Sequence, residues 1–281
     1  MISTLVRNRR FIALGALHTL RARYAGSMMG IVWNVAVPLV QIVVFALVFG
    51  LLMKWRMKPM PGVDDRFGFT VFLCSALLAW NGFAETLSRS TASIMGNRNV
   101  LKKIRTREEI FVAQEAMAGA LSTMITFSLF LLFCVGIAGM KPSWSWLEII
   151  PLIVLFHAFA FGMGLGLGVL NVFFRDVAPL LGVTLMTWMW LTPVIYDISM
   201  IAHEHPIAGT LMMLNPAYYF TQGFREAIYG APVLDAAGAV IGIRRGAALW
   251  CWEGAIGFSS AAIIGGWAIA ARLRTSVRDV L

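Results

Sequence analysis

The residue types that could carry out catalysis are few in this sequence. Ser259 lies in the segment GFSSA, and His157 would have to act as the base that activates it as a nucleophile. Small residues in such a segment are also typical of close packing between membrane helices. The sequence has no G-x-x-x-x-G-K-S/T segment, so it cannot hold nucleotide phosphates by that loop. We therefore expect no catalytic residue, no metal site and no cofactor bound by this chain.

Aromatic side chains are concentrated in two segments on the predicted outer side. An aromatic face can stack on the apolar C–H face of a sugar ring, so these side chains could contact a glycan. The alternative is the aromatic belt that membrane proteins place at the interface between lipid and water. The sequence leaves both interpretations open for this set: Trp188, Trp190, Tyr196, Tyr218, Tyr219 and Phe220.

The composition indicates an integral membrane protein. The chain has 281 residues, of which 59% are hydrophobic and 13% are charged, whereas a soluble domain has about 25% charged residues. One core cannot remove so much apolar surface from water, and lipid is the second solvent available. The three cysteines, Cys74, Cys134 and Cys251, lie in apolar stretches and are interpreted as free buried thiols.

The chain contains six apolar runs of about the length that crosses a bilayer. A hydrocarbon core about 30 Å thick needs roughly 20 residues of helix, and backbone groups in lipid must be satisfied internally, so the predicted fold is all-α. The expected spans are residues 31–53, 67–83, 116–139, 149–170, 177–196 and 246–271. Residues 198–230 are apolar but broken by prolines and glycines, which predicts two short re-entrant helices or an external loop on the surface.

The flanks of these runs set the orientation. Most lysines and arginines lie in residues 1–30, in the link after the second span and in the C-terminal tail, so both termini are expected in the cytoplasm. Near the N-terminus, Phe11, Leu14 and Leu17 recur at helical spacing, while arginines occupy other positions. This pattern predicts an amphipathic helix lying in the inner membrane interface.

The largest predicted inner loop, residues 85–110, is rich in charge. It combines Ser and Thr with a mixed-charge, partly amphipathic stretch that is long enough for a short helix. Such a helix could dock a soluble partner, or it could be a basic patch held to anionic lipid. The candidate docking residues are Arg98, Lys102, Lys103 and Arg105.

Three segments together resemble the ABC-2 type export permeases. RARYAGSMMGIVWNVAVPLVQ (residues 21–41) resembles the opening of these permeases, where a basic and aromatic segment leads into a first span containing proline. NVFFRDVAPLL and WLTPVIY (residues 171–196) are similar to the link between the fourth and fifth spans of the polysaccharide exporters in that family. LNPAYYFTQGFREAIYG (residues 214–230) resembles the segment before the last span.

The resemblance implies a homodimer of permeases joined to two ATP-binding cassette subunits, which bind ATP and Mg²⁺ on separate chains. The expected cargo is a lipid-linked polysaccharide, which is moved across the bacterial inner membrane, and O-antigen is the preferred candidate. Capsular polysaccharide or teichoic acid is the alternative, and a drug or small lipid is the second alternative. On this basis the whole chain is one ABC-2 transmembrane domain, divided into residues 1–30, 31–197, 198–245 and 246–281.

The resemblance also implies roles for particular side chains. Arg21, Arg23 and Arg175 become candidates for the diphosphate of the lipid anchor at the inner gate, because Arg forms bidentate contacts with phosphate. The alternative is that these charges serve only the positive-inside rule. The N-terminal helix and residues 89–110 are then expected to contact the ATPases, and residues 198–230 to shield the outer channel mouth.

Overall fold

Long apolar helices make up most of the chain. The computed structural model describes residues 1–23, 26–52, 63–103, 106–198, 201, 205–234 and 240–280. A π-helical segment, Ala46–Leu52, continues α3, and a 3-10 turn at Trp144–Glu148 leads into α7. The helices are α1 (Ile2–Arg7), α2 (Arg9–Ala22), α3 (Trp33–Phe45), α4 (Gly68–Gly96), α5 (Arg98–Lys103), α6 (Glu109–Gly136), α7 (Ile149–Phe173), α8 (Val177–Leu191), α9 (Pro206–Met213), α10 (Pro216–Tyr229) and α11 (Leu249–Val280).

Five of the six expected spans are helices long and apolar enough to cross a membrane. They are Trp33–Leu52, Gly68–Gly96, Glu109–Gly136, Trp144–Phe173 and Leu249–Val277. The second is longer than the sequence predicts: α4 does not end at Phe83 but continues to Gly96, because residues 84–96 keep the helical pattern beyond the apolar run. The first part of the predicted inner loop is therefore a helical extension of a span.

The fifth expected span, residues 177–196, differs from its prediction. The apolar helix α8 ends at Leu191, so it has 15 residues, and the segment up to Tyr196 is not helical. Pro193 explains the end, because proline disfavours helical backbone in the residue before it. Thr192 has an extended backbone with φ −96° and ψ 132°. A 15-residue helix is roughly 22 Å long, shorter than the hydrocarbon core.

The region before the last span contains two short helices and a small hairpin. Helices α9 and α10 lie where the sequence predicts two short helices. The strands β1 (Ala231–Leu234) and β2 (Val240–Arg244) pair antiparallel, so the all-α prediction misses this hairpin. It follows Gly230, whose φ of +81° turns the chain out of α10. That α9 and α10 enter the membrane stays a prediction.

The centre of the bundle is formed by α4 and α7. Helix α4 packs against α6 and α7, and α7 packs along α11. Stacked phenylalanines connect them: the ring centroids of Phe83 and Phe156 are 4.4 Å apart, and those of Phe156 and Phe220 are also 4.4 Å apart. By contrast, many apolar side chains of α3 and α11 are exposed on the single chain, so these helices form its outer surface.

Glycines on α7 allow two close helix contacts. A Cβ at Gly162 would collide with the backbone of Ala262 on α11, whereas one at Gly164 would collide with Ser90 on α4. The segment GMGLGLG (residues 162–168) therefore forms two close helix contacts on opposite sides of α7, and both are within the chain. The small residues of this segment therefore allow close packing between helices of the same chain.

Gly266 on α11 tests this packing. Its Cβ position is occupied by the carbonyl oxygen of Gly162, whereas a Cβ at neighbouring Gly265 would meet no atom within 4 Å. We expect Gly266→Ala to lower the free energy of unfolding by about 1–3 kcal/mol, because the backbones must separate. Gly265→Ala, the matched control, should change it by less than about 0.5 kcal/mol. Thermal unfolding of the solubilised protein measures both, and equal stability of the two variants would contradict this close helix contact.

Candidate functional site

The predicted aromatic residues fall into two groups in the structure. Trp188 and Phe220 belong to the core: Trp188 packs edge-on against Trp80, and Phe220 is completely buried beside Phe159. A side chain with no exposed surface cannot stack on a passing sugar. The expectation that Phe220 lines a glycan channel is therefore corrected to a packing role. The reason is that Phe220 lies on the face of α10 that packs against the core.

The other aromatics lie at the surface or near it. Tyr218 stacks on Trp250 of α11 with centroids 5.6 Å apart, and Tyr219 packs against the same indole and against Phe258. Trp190 is 56% exposed, and the hydroxyl of Tyr196 donates to its carbonyl oxygen. These contacts tie α10 to the first turns of α11. Of the predicted set, Trp190 is exposed, Trp188, Tyr196 and Tyr219 are half-buried, and Tyr218 is buried.

The non-helical segment after α8 is held by one asparagine. Asn215 caps the start of α10 by accepting a hydrogen bond from the backbone N–H of Ala217. Its Oδ1 also accepts from the indole N–H of Trp188 at 2.8 Å, and its Nδ2 donates to the hydroxyl of Thr192 at 2.8 Å. The same Nδ2 approaches the carbonyl oxygen of Leu191 at 3.3 Å. Asn215 thereby satisfies polar groups that the broken helix leaves open.

A buried arginine satisfies the next part of that segment. Arg225 of α10 is 2% exposed, and its Nη2 donates to the carbonyl oxygen of Val194 at 2.7 Å. Its guanidinium lies over the ring of Phe72, 3.7 Å from the centroid, near the start of α4. Although it is charged, Arg225 is buried rather than exposed to solvent. The sequence does contain a signal for this burial, because Arg225 lies among apolar residues on one face of α10.

Arg23 lies in an ion-pair network at the other end of the bundle, in which its own side chain is buried and that of Glu85 is half-exposed. Its Nη1 is 3.1 Å from Oε1 of Glu85 on α4, and its Nη2 is 4.0 Å from Oε2 of Glu115 on α6. The side chain of Arg23 is only 3% exposed. We therefore correct the expectation that Arg23 meets a diphosphate: its charge is already matched by two carboxylates. Arg21 and Arg175 are exposed, so a phosphate contact stays a prediction for those two.

A second ion-pair network joins both termini to α6. Glu109, which is completely buried, accepts from Nη2 of Arg274 at 2.9 Å, and Arg107 lies 3.4 Å from the same carboxylate. Arg107 also donates to the hydroxyl of Thr4 on α1. Beside this network, helix α5 has no buried residue. The N-terminus, the start of α6 and the end of α11 therefore form one connected body.

The predicted docking residues are placed on α5 and next to it. Arg98, Lys102 and Lys103 are exposed, as contact with a soluble partner requires. Arg105 lies outside the described residues. On α2, Ile12, Ala16 and Leu20 are buried. The predicted apolar face, Phe11, Leu14 and Leu17, is exposed on the single chain, which suits a helix that also contacts lipid.

The structure does not assemble Ser259 and His157 into a catalytic pair. The hydroxyl of Ser259 donates to the carbonyl oxygen of Leu155 at 2.8 Å. Both ring nitrogens of His157 are engaged elsewhere: Nε2 contacts the hydroxyl of Thr123 at 3.2 Å, and Nδ1 contacts the carbonyl oxygen of Ile153 at 2.9 Å. These contacts give both side chains a packing role between helices. The three cysteines are buried and free, as expected.

Known proteins resemble this chain over most of its length. A family model described as ABC-2 type transporter matches residues 14–229. A protein of Klebsiella pneumoniae named O-antigen export system permease protein RfbA is 31% identical over 186 residues, covering 66% of this chain and 68% of the relative. A protein of the same name from Myxococcus xanthus is 27% identical over 220 residues, covering 77% and 79%.

The role of Arg225 is tested by removing its charge. We expect Arg225→Met to lower the free energy of unfolding by about 1–3 kcal/mol, because the carbonyl oxygen of Val194 loses a charged donor. Arg245→Met is the matched control, since Arg245 is exposed, and it should have little effect. Chemical denaturation of the solubilised protein measures both. An Arg225→Met variant as stable as the control would show that the buried guanidinium does not hold the segment.

Proposed function

This chain belongs to the ABC-2 type transporter family, and on that premise we propose that it exports a lipid-linked polysaccharide, O-antigen foremost. It is a multi-pass membrane permease homologous to O-antigen export permeases. The observation that carries the proposal is the match to relatives of that name over 66% and 77% of the chain. Energy comes from ATP bound with Mg²⁺ on separate ATP-binding cassette subunits, two of which join a permease homodimer in the bacterial inner membrane.

The placement of residues 192–194 supports six crossings. Helix α8 begins just after α7 ends, and Trp188 then reaches Phe83 and Phe159 in the middle of their helices. The following segment reaches Arg225, which lies over Phe72 near the other end of α4. Helix and extended segment together thus cover the distance that α8 alone does not. With five long spans this makes an even number, so both termini lie on the same side, and the lysines and arginines of the flanks make that side cytoplasmic.

The packing of α10 supports the re-entrant proposal. Phe220 stacks on Phe156 and Phe159, two and three turns inside α7 from its outer end. A helix held at that depth lies below the membrane surface, and it is covered by α4, α7 and α11. Such packing is the condition under which non-spanning helices are tolerated in a bilayer. Residues 198–230 then shield the outer channel mouth, where Trp190, Tyr196 and Tyr219 contact the glycan.

Reconstitution tests the proposed function directly. The permease is purified with its ATP-binding subunit and placed in liposomes with lipid-linked polysaccharide from the same cells. We expect ATP hydrolysis to rise with the polysaccharide, and Ser259→Ala to retain that rise, because Ser259 only packs against Leu155. ATP hydrolysis by the permease alone, or stimulation by small lipids but not by the polysaccharide, would contradict the proposal.

The exposed lysines of α5 test where the ATPase docks. Replacing both Lys102 and Lys103 with Glu should abolish co-purification of the ATP-binding subunit, because four units of charge change on a short exposed helix. The control reverses Lys141 and Arg245, which are exposed on the predicted outer side. Retention of the subunit by the α5 variant at the control's level would place the docking surface elsewhere.

A further inference from the structure

A polar pocket of about 190 Å³ lies between α3, α4 and α6. Its floor is set by Gly82 and Gly119, at which a Cβ would collide with Thr123 and Thr86, so α4 and α6 approach closely beneath it. Trp33 and Val37 of α3 form one wall. Among the other lining residues, most are polar: Asn34, Gln41, Asn81, Glu85, Ser122 and Thr126.

The three amides of this pocket have open hydrogen-bonding capacity. Asn34 is 5% exposed, yet the side chains of Asn34, Gln41 and Asn81 bond to no other residue in the described part of the chain. The hydroxyl of Thr126, in contrast, donates to the carbonyl oxygen of Ser122 within its own helix. Unpartnered amides on membrane-spanning helices are costly, because hydrocarbon offers them no partner. The pocket is therefore built for a polar occupant.

Charge at the inner end of the pocket selects the kind of occupant. Glu85 is paired with Arg23 at 3.1 Å and with Arg89 at 2.8 Å, and Arg23 also faces Glu115. Two cations and two carboxylates balance, so no surplus positive charge is left to attract a diphosphate. Amides both donate and accept, which matches hydroxyl groups, since these do the same. The lining thus fits an uncharged, polyhydroxylated molecule better than an anion.

We propose that this pocket binds a sugar unit of the transported glycan through its hydroxyl groups. The assignment rests on the proposed function and adds a site within a single chain, on the cytoplasmic half of the first spans. Asn34, Gln41 and Asn81 supply the donors and acceptors. Trp33, 37% exposed at the pocket's edge, offers a ring face to the apolar side of the sugar. The pocket then retains the glycan between successive rounds of ATP hydrolysis.

Cysteine labelling tests occupancy. Asn81→Cys is introduced into the permease, whose own three cysteines are buried, and the full transporter is then labelled with a charged methanethiosulfonate. We expect labelling to fall at least fivefold when lipid-linked polysaccharide from the same cells is bound to a transporter that a non-hydrolysable ATP analogue has arrested. Ser88→Cys, exposed on the same helix and outside the pocket, is the matched control and should label equally in both states.

The outcomes separate the site from the proposed function. Unchanged labelling of Asn81→Cys, in a complex whose ATP hydrolysis still rises with the polysaccharide, would overturn the pocket and leave the function standing. A reagent that never reaches this cysteine would overturn it too, because the pocket would not be open to water. Absence of polysaccharide-stimulated hydrolysis in the unmodified complex would instead overturn the proposed function, and the pocket's ligand with it.

A second variant measures affinity without a label. Gln41→Leu removes one amide from the pocket and suits a membrane helix. The polysaccharide concentration giving half-maximal ATP hydrolysis should rise about three- to tenfold, the effect of one lost hydrogen bond. Val40→Leu changes the neighbouring exposed residue and should leave this concentration unchanged. An equal response of the two variants would contradict sugar binding by Gln41.

Discussion

Every backbone polar group at membrane depth needs a partner within the protein, and this constraint shapes the outer half of the molecule. Helix α8 ends at Leu191, before the chain has covered the thickness of the hydrocarbon core. The extended residues that follow would leave carbonyl groups open. Asn215 and Arg225 supply the missing partners: Nδ2 of Asn215 donates to the carbonyl oxygen of Leu191 at 3.3 Å, and Nη2 of Arg225 donates to that of Val194 at 2.7 Å.

The same contacts explain why two distant sequence segments occur together. The segment WLTPVIY breaks the helix, and LNPAYYFTQGFREAIYG contains the side chains that repair the break. The buried face of α10 is in turn covered by the core aromatics around Phe156. The outer body of the permease is thus one unit built from α4, α7, α8 and α10. A unit of this kind fixes the aromatic surface around Trp190 and Tyr219.

Hydropathy predicts the long helices here because lipid imposes length and composition on them. It does not predict the inward turn of Phe220, the burial of Arg225 or the ion pairs of Arg23, since each depends on which face of a helix meets its neighbours. The end of α8 could be predicted from Pro193, whose effect on the preceding residue is local. The hairpin after Gly230 lacks such a local rule, because its strands are short and pair only with each other.

Arg23 connects the two functional regions that the proposals describe. It follows α2, the helix expected to contact the ATPase, and it pairs with Glu85, which lines the polar pocket. On these proposals, any displacement of α2 by the ATPase either carries Glu85 with it or separates this ion pair. Separation would leave the guanidinium of Arg23, whose side chain is only 3% exposed, without its nearest carboxylate, and this is unfavourable. Movement of α4 with α2 is then the alternative of lower energy, and it would change the shape of the pocket.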